Sequence, residues 1–169
     1  FGRIGRKLIK RCLGFEMKVY VYDPFVEKKL IDSFGGIKVE ELPNGLKEAD
    51  IISLSVPLTK ETNNMIALNE IKMMKKNAII INTSRGGIVN EKDLNDALNN
   101  NLIHGAGLDV FTKEPPDKDN PLLKNNRVVL SPHAATFTQE CLSKMSIETA
   151  QNIIDFFDGK LNTNSVVKV

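Results

Sequence analysis

Phe1 to Asp23 reads FGRIGRKLIKRCLGFEMKVYVYD. Gly2 and Gly5 have x-G-x-x-G spacing, a helical stretch from Gly5 to Gly14 follows, a β-branched and aromatic run covers Lys18 to Tyr22, and Asp23 ends it 18 residues beyond Gly5. These are the parts of a dinucleotide-binding loop in their working order. One glycine lets backbone approach a pyrophosphate, the other lets helix pack on strand, amides at the helix start bind phosphate, and the acid accepts from ribose hydroxyls. Two glycines alone also fit a turn or a packing contact; the aspartate at the right place favours the dinucleotide. A carboxylate there repels a 2′-phosphate, so NAD is expected over NADP. The motif's first glycine would fall one residue before Phe1, and the strand feeding the loop is missing with it. The sequence is therefore expected to be a fragment, since losing a central strand leaves its neighbours with unpaired edges.

Outward from this loop, short apolar runs alternate with longer amphipathic stretches. Six strands are expected, at Lys18 to Tyr22, Ile37 to Glu40, Ile51 to Val56, Ala78 to Asn82, Ile103 to Asp109 and Val128 to Ser131. Runs such as AIIIN and DIISLSV are apolar at successive positions, which implies burial on both faces. Helices are expected at Gly5 to Gly14, Glu27 to Phe34, Asn44 to Glu48, Glu70 to Lys75, Glu91 to Asn99 and Thr138 to Phe157. Asn69 and Asn90 read as N-caps, each followed by an acid suited to the helix dipole. The last helix carries an apolar stripe of Leu142, Met145, Ile147, Ala150, Ile153, Ile154 and Phe157, and Gly159 stops it. Glu114 to Pro121 reads as the only long irregular loop. The pattern is a doubly wound parallel α/β sheet of Rossmann type with helices on both faces, lacking its first strand.

Composition narrows the function. With 169 residues, 41% hydrophobic and 26% charged, the chain holds one domain with a core and is too short for two full ones. Twenty-three basic against 21 acidic side chains leave a net charge of +2 spread along the sequence, so no nucleic-acid partner is expected. Cys12 and Cys141 lack any metal or redox spacing and read as reduced thiols of a cytoplasmic protein; no metal site is expected. No apolar run approaches the roughly 18 to 20 residues of a membrane span, and nothing suggests export.

Three polar residues follow buried strands: Arg85 after IIINTS, Glu114 after GLDVFTK, and His133 after VVLSP. All belong to the C-terminal rim of the sheet, on the side of the phosphate loop. Arginine can hold a carboxylate bidentately, histidine can exchange a proton near neutral pH, and a carboxylate on its other nitrogen can orient the ring. Each alone has a plainer reading. Arg85 fits a surface or helix-dipole residue, Glu114 a solvated loop charge, and His133 a hydrogen-bonded structural histidine. Asp109 can cap a turn or accept from a carboxamide.

The segments FGRIGR, YDPF, SVPLTKETNNMI, INTSRGGIVNEKDL, GAGLDVFTKEPP and LSPHAATFT resemble, in order and spacing, the nucleotide-binding domain of the D-2-hydroxyacid dehydrogenases from Phe1 to about Gly159. The resemblance implies a catalytic set of Arg85, Glu114 and His133. Cofactor contacts are implied from Gly2, Arg3, Ile4 and Gly5 at the pyrophosphate, Asp23 at the ribose, and Val56 and Pro57 near the adenosine. Thr83, Ser84, Arg85, Asp109, His133, Ala134, Ala135 and Thr136 would surround the nicotinamide. Ala135 departs from the family, where many members have glycine. The resemblance further implies NAD as cofactor, a small 2-hydroxy or 2-oxo acid as substrate, and a homodimer formed through this domain. Residues 1–159 would be the NAD-binding domain and 160–169 the start of a tail returning to a substrate domain. Without that domain and the first strand, the fragment is expected to show no turnover. Two other readings stand beside this one: an NAD(H)-sensing corepressor-like scaffold, and a formate dehydrogenase relative, against which Glu114 argues.

Overall fold

The computed structural model describes residues 1–163 and 166. Six strands form among the described residues: β1 (Tyr20–Tyr22), β2 (Ile37–Val39), β3 (Ile51–Leu54), β4 (Ile79–Asn82), β5 (Gly105–Leu108) and β6 (Val128–Leu130), each paired in parallel. They pair as two sheets, β1-β2 and β3-β4-β5-β6. In the 3-2-1-4-5-6 order of a dinucleotide-binding sheet, the interruption falls at the position of the first strand. Between strands run α1 (Arg3–Gly14), α2 (Lys28–Ser33), α3 (Leu42–Glu48), α4 (Leu68–Met73) and α5 (Glu91–Asn99), and α6 (Gln139–Phe157) follows the last strand.

Register decides which side chains meet. Ile52, Ile80, Ala106 and Val128 stand side by side, as do Leu54, Asn82, Leu108 and Leu130. The apolar members join Leu46, Ile71, Leu94, Ala97 and Leu98 from α3, α4 and α5 in the main core. Burial of such side chains contributes on the order of 1.5–3 kcal/mol each. A smaller cluster packs Ile9 of α1 with Val21 of β1 and Ile31 of α2.

On the opposite face of the larger sheet the expectation of burial on both sides holds for β4, whose Ile79 and Ile81 are half-buried, and is corrected at the outer strands. Ile51 is 48% and Val129 77% exposed. Both stand on outer strands; Val129 is paired with Gly107, which offers no side chain to pack against it, while Ile51 is paired with Ile79 at the edge of the sheet.

Helix starts follow backbone donors more than side-chain type. Asn90 caps α5 as expected, its Oδ1 accepting the Asp93 N–H at 3.0 Å. Asn69 is no cap and lies inside α4. Ala67 holds the cap position because Ile66 is already bridged to Val89, while Glu70 accepts the Ala67 N–H at 3.1 Å and Asp93 the Leu68 N–H at 2.9 Å. Glu114 to Pro121 is also not the only long irregular segment. Residues 55–67 form another, folded on itself where Thr62 Oγ1 accepts the Thr59 N–H at 2.8 Å and donates to the Pro57 carbonyl at 2.7 Å.

The chain divides into a compact unit from Phe1 to His133 and a second from Ala134 onward. In the second, Thr138 caps α6 by accepting the Cys141 N–H at 3.1 Å, and Gly159, with φ +67°, follows its end. No residue of α6 is buried, so its apolar stripe faces outward. Both cysteines are free thiols. Of the expected tail, residues 164, 165 and 167–169 lie outside the described residues.

Candidate active site

Parallel strands deliver polar residues to one rim. β6 is followed by Ser131, Pro132 and His133, and the loop after β5 carries Asp109, Phe111 and Glu114. The two loops meet where His133 Nδ1 lies 2.7 Å from Glu114 Oε2. The other carboxylate oxygen, Oε1, accepts the Phe111 N–H at 3.0 Å. Hydrogen bonding from His133, and then from Phe111, holds the Glu114 carboxyl below the usual carboxylate range, against smaller upward pushes from desolvation and the Asp109 charge. His133 has φ +53°, a left-handed backbone conformation that non-glycine residues adopt at a cost, often at functional sites. Beside the pair lies a cavity of about 480 Å³ lined by Asp109, Phe111, Glu114, Leu123, Leu130 and His133 among others. Asp109, only 3% exposed, accepts from the Ser131 hydroxyl.

Arg85 sits on the turn after β4. Its side chain is exposed, and Nη1 donates to the Ser84 carbonyl at 2.6 Å. Its guanidinium is therefore folded onto its own turn, with no bond to Glu114 or His133. The turn itself is brought to the Glu114 loop by Gly86. A Cβ there would collide with the Phe111 carbonyl and the Thr112 nitrogen, so only glycine permits this approach of two backbones. Asn82, which sequence reading missed, braces the turn from within. Its signal was present: a polar side chain at the same parity as Ile80, hence pointing into the core.

The remaining expected residues are taken along the chain. Gly2 holds the N-cap position without a side-chain bond, no acid stands in the first turn, and nothing lies within 4 Å of where its Cβ would be. Arg3 and Ile4 are exposed, Gly5 is half-buried, and Asp23 follows β1. One Asp23 oxygen accepts the Phe25 N–H at 2.9 Å and the other meets the Phe1 nitrogen. An open glycine backbone, uncapped helix amides and an acid at the end of β1 suit a dinucleotide's pyrophosphate and ribose. Val56 packs on the core, Pro57 is exposed, Thr83 is exposed and Ser84 is half-buried. Ala134, Ala135 and Thr136 belong to the second unit, where the Phe137 N–H bonds the Ala134 carbonyl and the Thr138 N–H that of Thr136, each at 2.9 Å. Among the described residues there is no cluster of metal-ligating side chains.

These features define a dinucleotide-binding α/β domain with an imidazole–carboxylate pair at its rim. The family model described as "D-isomer specific 2-hydroxyacid dehydrogenase, NAD binding domain" matches residues 1–135, and the chain belongs to that family. It is 43% identical to a glyoxylate reductase of Korarchaeum cryptofilum, over 98% of this chain and 49% of the relative. It is 42% identical to a D-3-phosphoglycerate dehydrogenase of Methanocaldococcus jannaschii, over 98% of this chain and 31% of that one. Among solved structures, D-lactate dehydrogenase with NAD+ from Lactobacillus jensenii matches with a TM-score of 0.88 at 30% identity, over 99% of this chain and 53% of that chain. The chain thus spans about half the length of such relatives, or less.

Proposed function

We propose that this chain is the cofactor-binding and acid/base half of an NAD-dependent dehydrogenase that interconverts a small 2-hydroxy acid and its 2-oxo acid. The carrying observation is the 2.7 Å bond between His133 and Glu114. It engages Nδ1, so Nε2 is the nitrogen left to exchange a proton with the substrate's C2 oxygen. Glu114 orients the ring and does not itself touch substrate. Arg85, released from the Ser84 carbonyl, holds the substrate carboxylate. Gly2 to Gly5, Asp23, Val56 and Pro57, with Thr83, Ser84, Asp109 and His133 toward the other end, would hold NAD, which would supply the hydride acceptor.

In the same reading residues 1–159 form the nucleotide-binding domain and the following tail leads toward a substrate domain. The same reading takes the protein to act in the cytoplasm as a homodimer. No described helix is long and apolar enough to cross a membrane. The test is to express the full-length protein and screen NAD+ with a panel of D-2-hydroxy acids, and NADH with the matching 2-oxo acids. Stereospecific NADH formation with at least one acid is expected. NADH binding without turnover of any panel member would instead favour a nucleotide-sensing role.

A further inference from the structure

Asn82 is 2% exposed and stands at the end of the central strand β4, on the face that the core covers. A primary amide there is costly unless its polar atoms are satisfied. Its Oδ1 accepts the Ser84 N–H at 3.0 Å and the Ser84 hydroxyl at 2.7 Å, while Nδ2 donates to the Arg85 carbonyl at 2.9 Å. The Asn82 backbone carbonyl accepts the Asp109 N–H at 2.9 Å. From Asp109 the contacts run through the Ser131 hydroxyl to the His133 loop, across to Glu114, and from Glu114 to the Phe111 N–H. The Phe111 carbonyl packs on Gly86, beside Arg85, and the ring closes. Three strand ends are thereby tied into one circuit, and Asn82 is the side chain through which the Arg85 turn joins it.

We infer that Asn82 is a positioning residue: its buried amide fixes the turn so that Arg85 meets the substrate carboxylate in register with His133. This rests on the dehydrogenase reading, in which Arg85 clamps that carboxylate. An amide with only a folding role would affect every step together. A brace on the turn acts chiefly on capture of the acid.

The experiment uses the full-length protein and compares Asn82→Asp with Asn82→Ser, with Arg85→Lys alongside. Asn82→Asp keeps an acceptor for Ser84 but opposes an oxygen to the Arg85 carbonyl; Asn82→Ser is neutral and too short to reach both. Melting temperature, NADH Kd by fluorescence, kcat and KM for the preferred 2-oxo acid are measured. The expected result is a KM raised by about tenfold, with NADH Kd and kcat within about threefold of the parent. An unchanged KM in a folded variant overturns the inference, as does a parallel loss of NADH affinity. Failure of both variants to fold overturns it too, by assigning Asn82 to the core alone. If Arg85→Lys raises KM while the Asn82 variants do not, only this inference falls. If Arg85→Lys leaves KM unchanged, the clamp reading falls and this inference with it.

Discussion

Nδ1 of His133 and Oε2 of Glu114 stand 2.7 Å apart, although 19 residues separate them in sequence. The carboxylate reaches the ring already anchored by the Phe111 N–H. An acceptor held on both oxygens restricts imidazole rotation and fixes which nitrogen carries the shared proton. The pair is thus prepared before any substrate arrives.

Replacing His133 by alanine should remove the proton exchange and leave the dinucleotide site standing. Turnover by the full-length protein is expected to drop by about 10²–10⁴-fold, while NADH Kd changes by less than about threefold. Steady-state rates and fluorescence titration separate the two. Comparable loss of both quantities would show that His133 supports the fold and not the chemistry.

The Glu114 carboxyl titrates below the usual glutamate range because the folded state favours its charged form. Its contribution to stability is therefore fully present above the unfolded value, about 4.3, and disappears as the pH falls through the lower folded value. Carbon-13 NMR of the side-chain carboxyl should give a midpoint below about 4.3 in the parent and a higher one in His133→Ala. A midpoint that does not move on removing His133 would dismiss the imidazole as the cause.

How much of this was legible in sequence depended on the range of the forces. β4 was visible in AIIIN because a central parallel strand needs apolar β-branched residues. The partnership of Glu114 with His133 was expected because both follow strands that end at one rim. Asn69 failed as a cap because the β-bridge of Ile66 with Val89 and the side chains of Glu70 and Asp93 set the start of α4, and local propensity cannot report that. The outward face of Val129 went unseen for a similar reason: alternation along one strand is silent about glycines on the next. Arg85 was placed on the correct turn, but its rotamer is set by the nearest carbonyl and not by the site.

Gly86 is a second point where the rim is vulnerable. A methyl group there would enter the Phe111 carbonyl, a backbone atom that cannot rotate aside. Gly86→Ala should lower unfolding free energy by about 3 kcal/mol or more, read as a reduced urea midpoint. Gly2→Ala, where the added methyl meets no atom, should cost well under that in the cofactor-free protein. Equal midpoints for the two variants would mean that the loops separate freely.

Asp23 allows the cofactor assignment to be tested against its nearest competitor. Its carboxylate can accept from ribose hydroxyls, and each such charge-assisted bond is worth about 1.5–3 kcal/mol. The same charge beside a 2′-phosphate is repulsive, by on the order of 1–4 kcal/mol depending on how much water intervenes. Asp23→Ser should therefore weaken NADH binding and strengthen NADPH binding together, contracting the preference by at least about tenfold. Loss of NADH affinity alone would still permit a hydrogen-bonding role without discrimination. A preference left intact would mean that selection against the phosphate arises elsewhere.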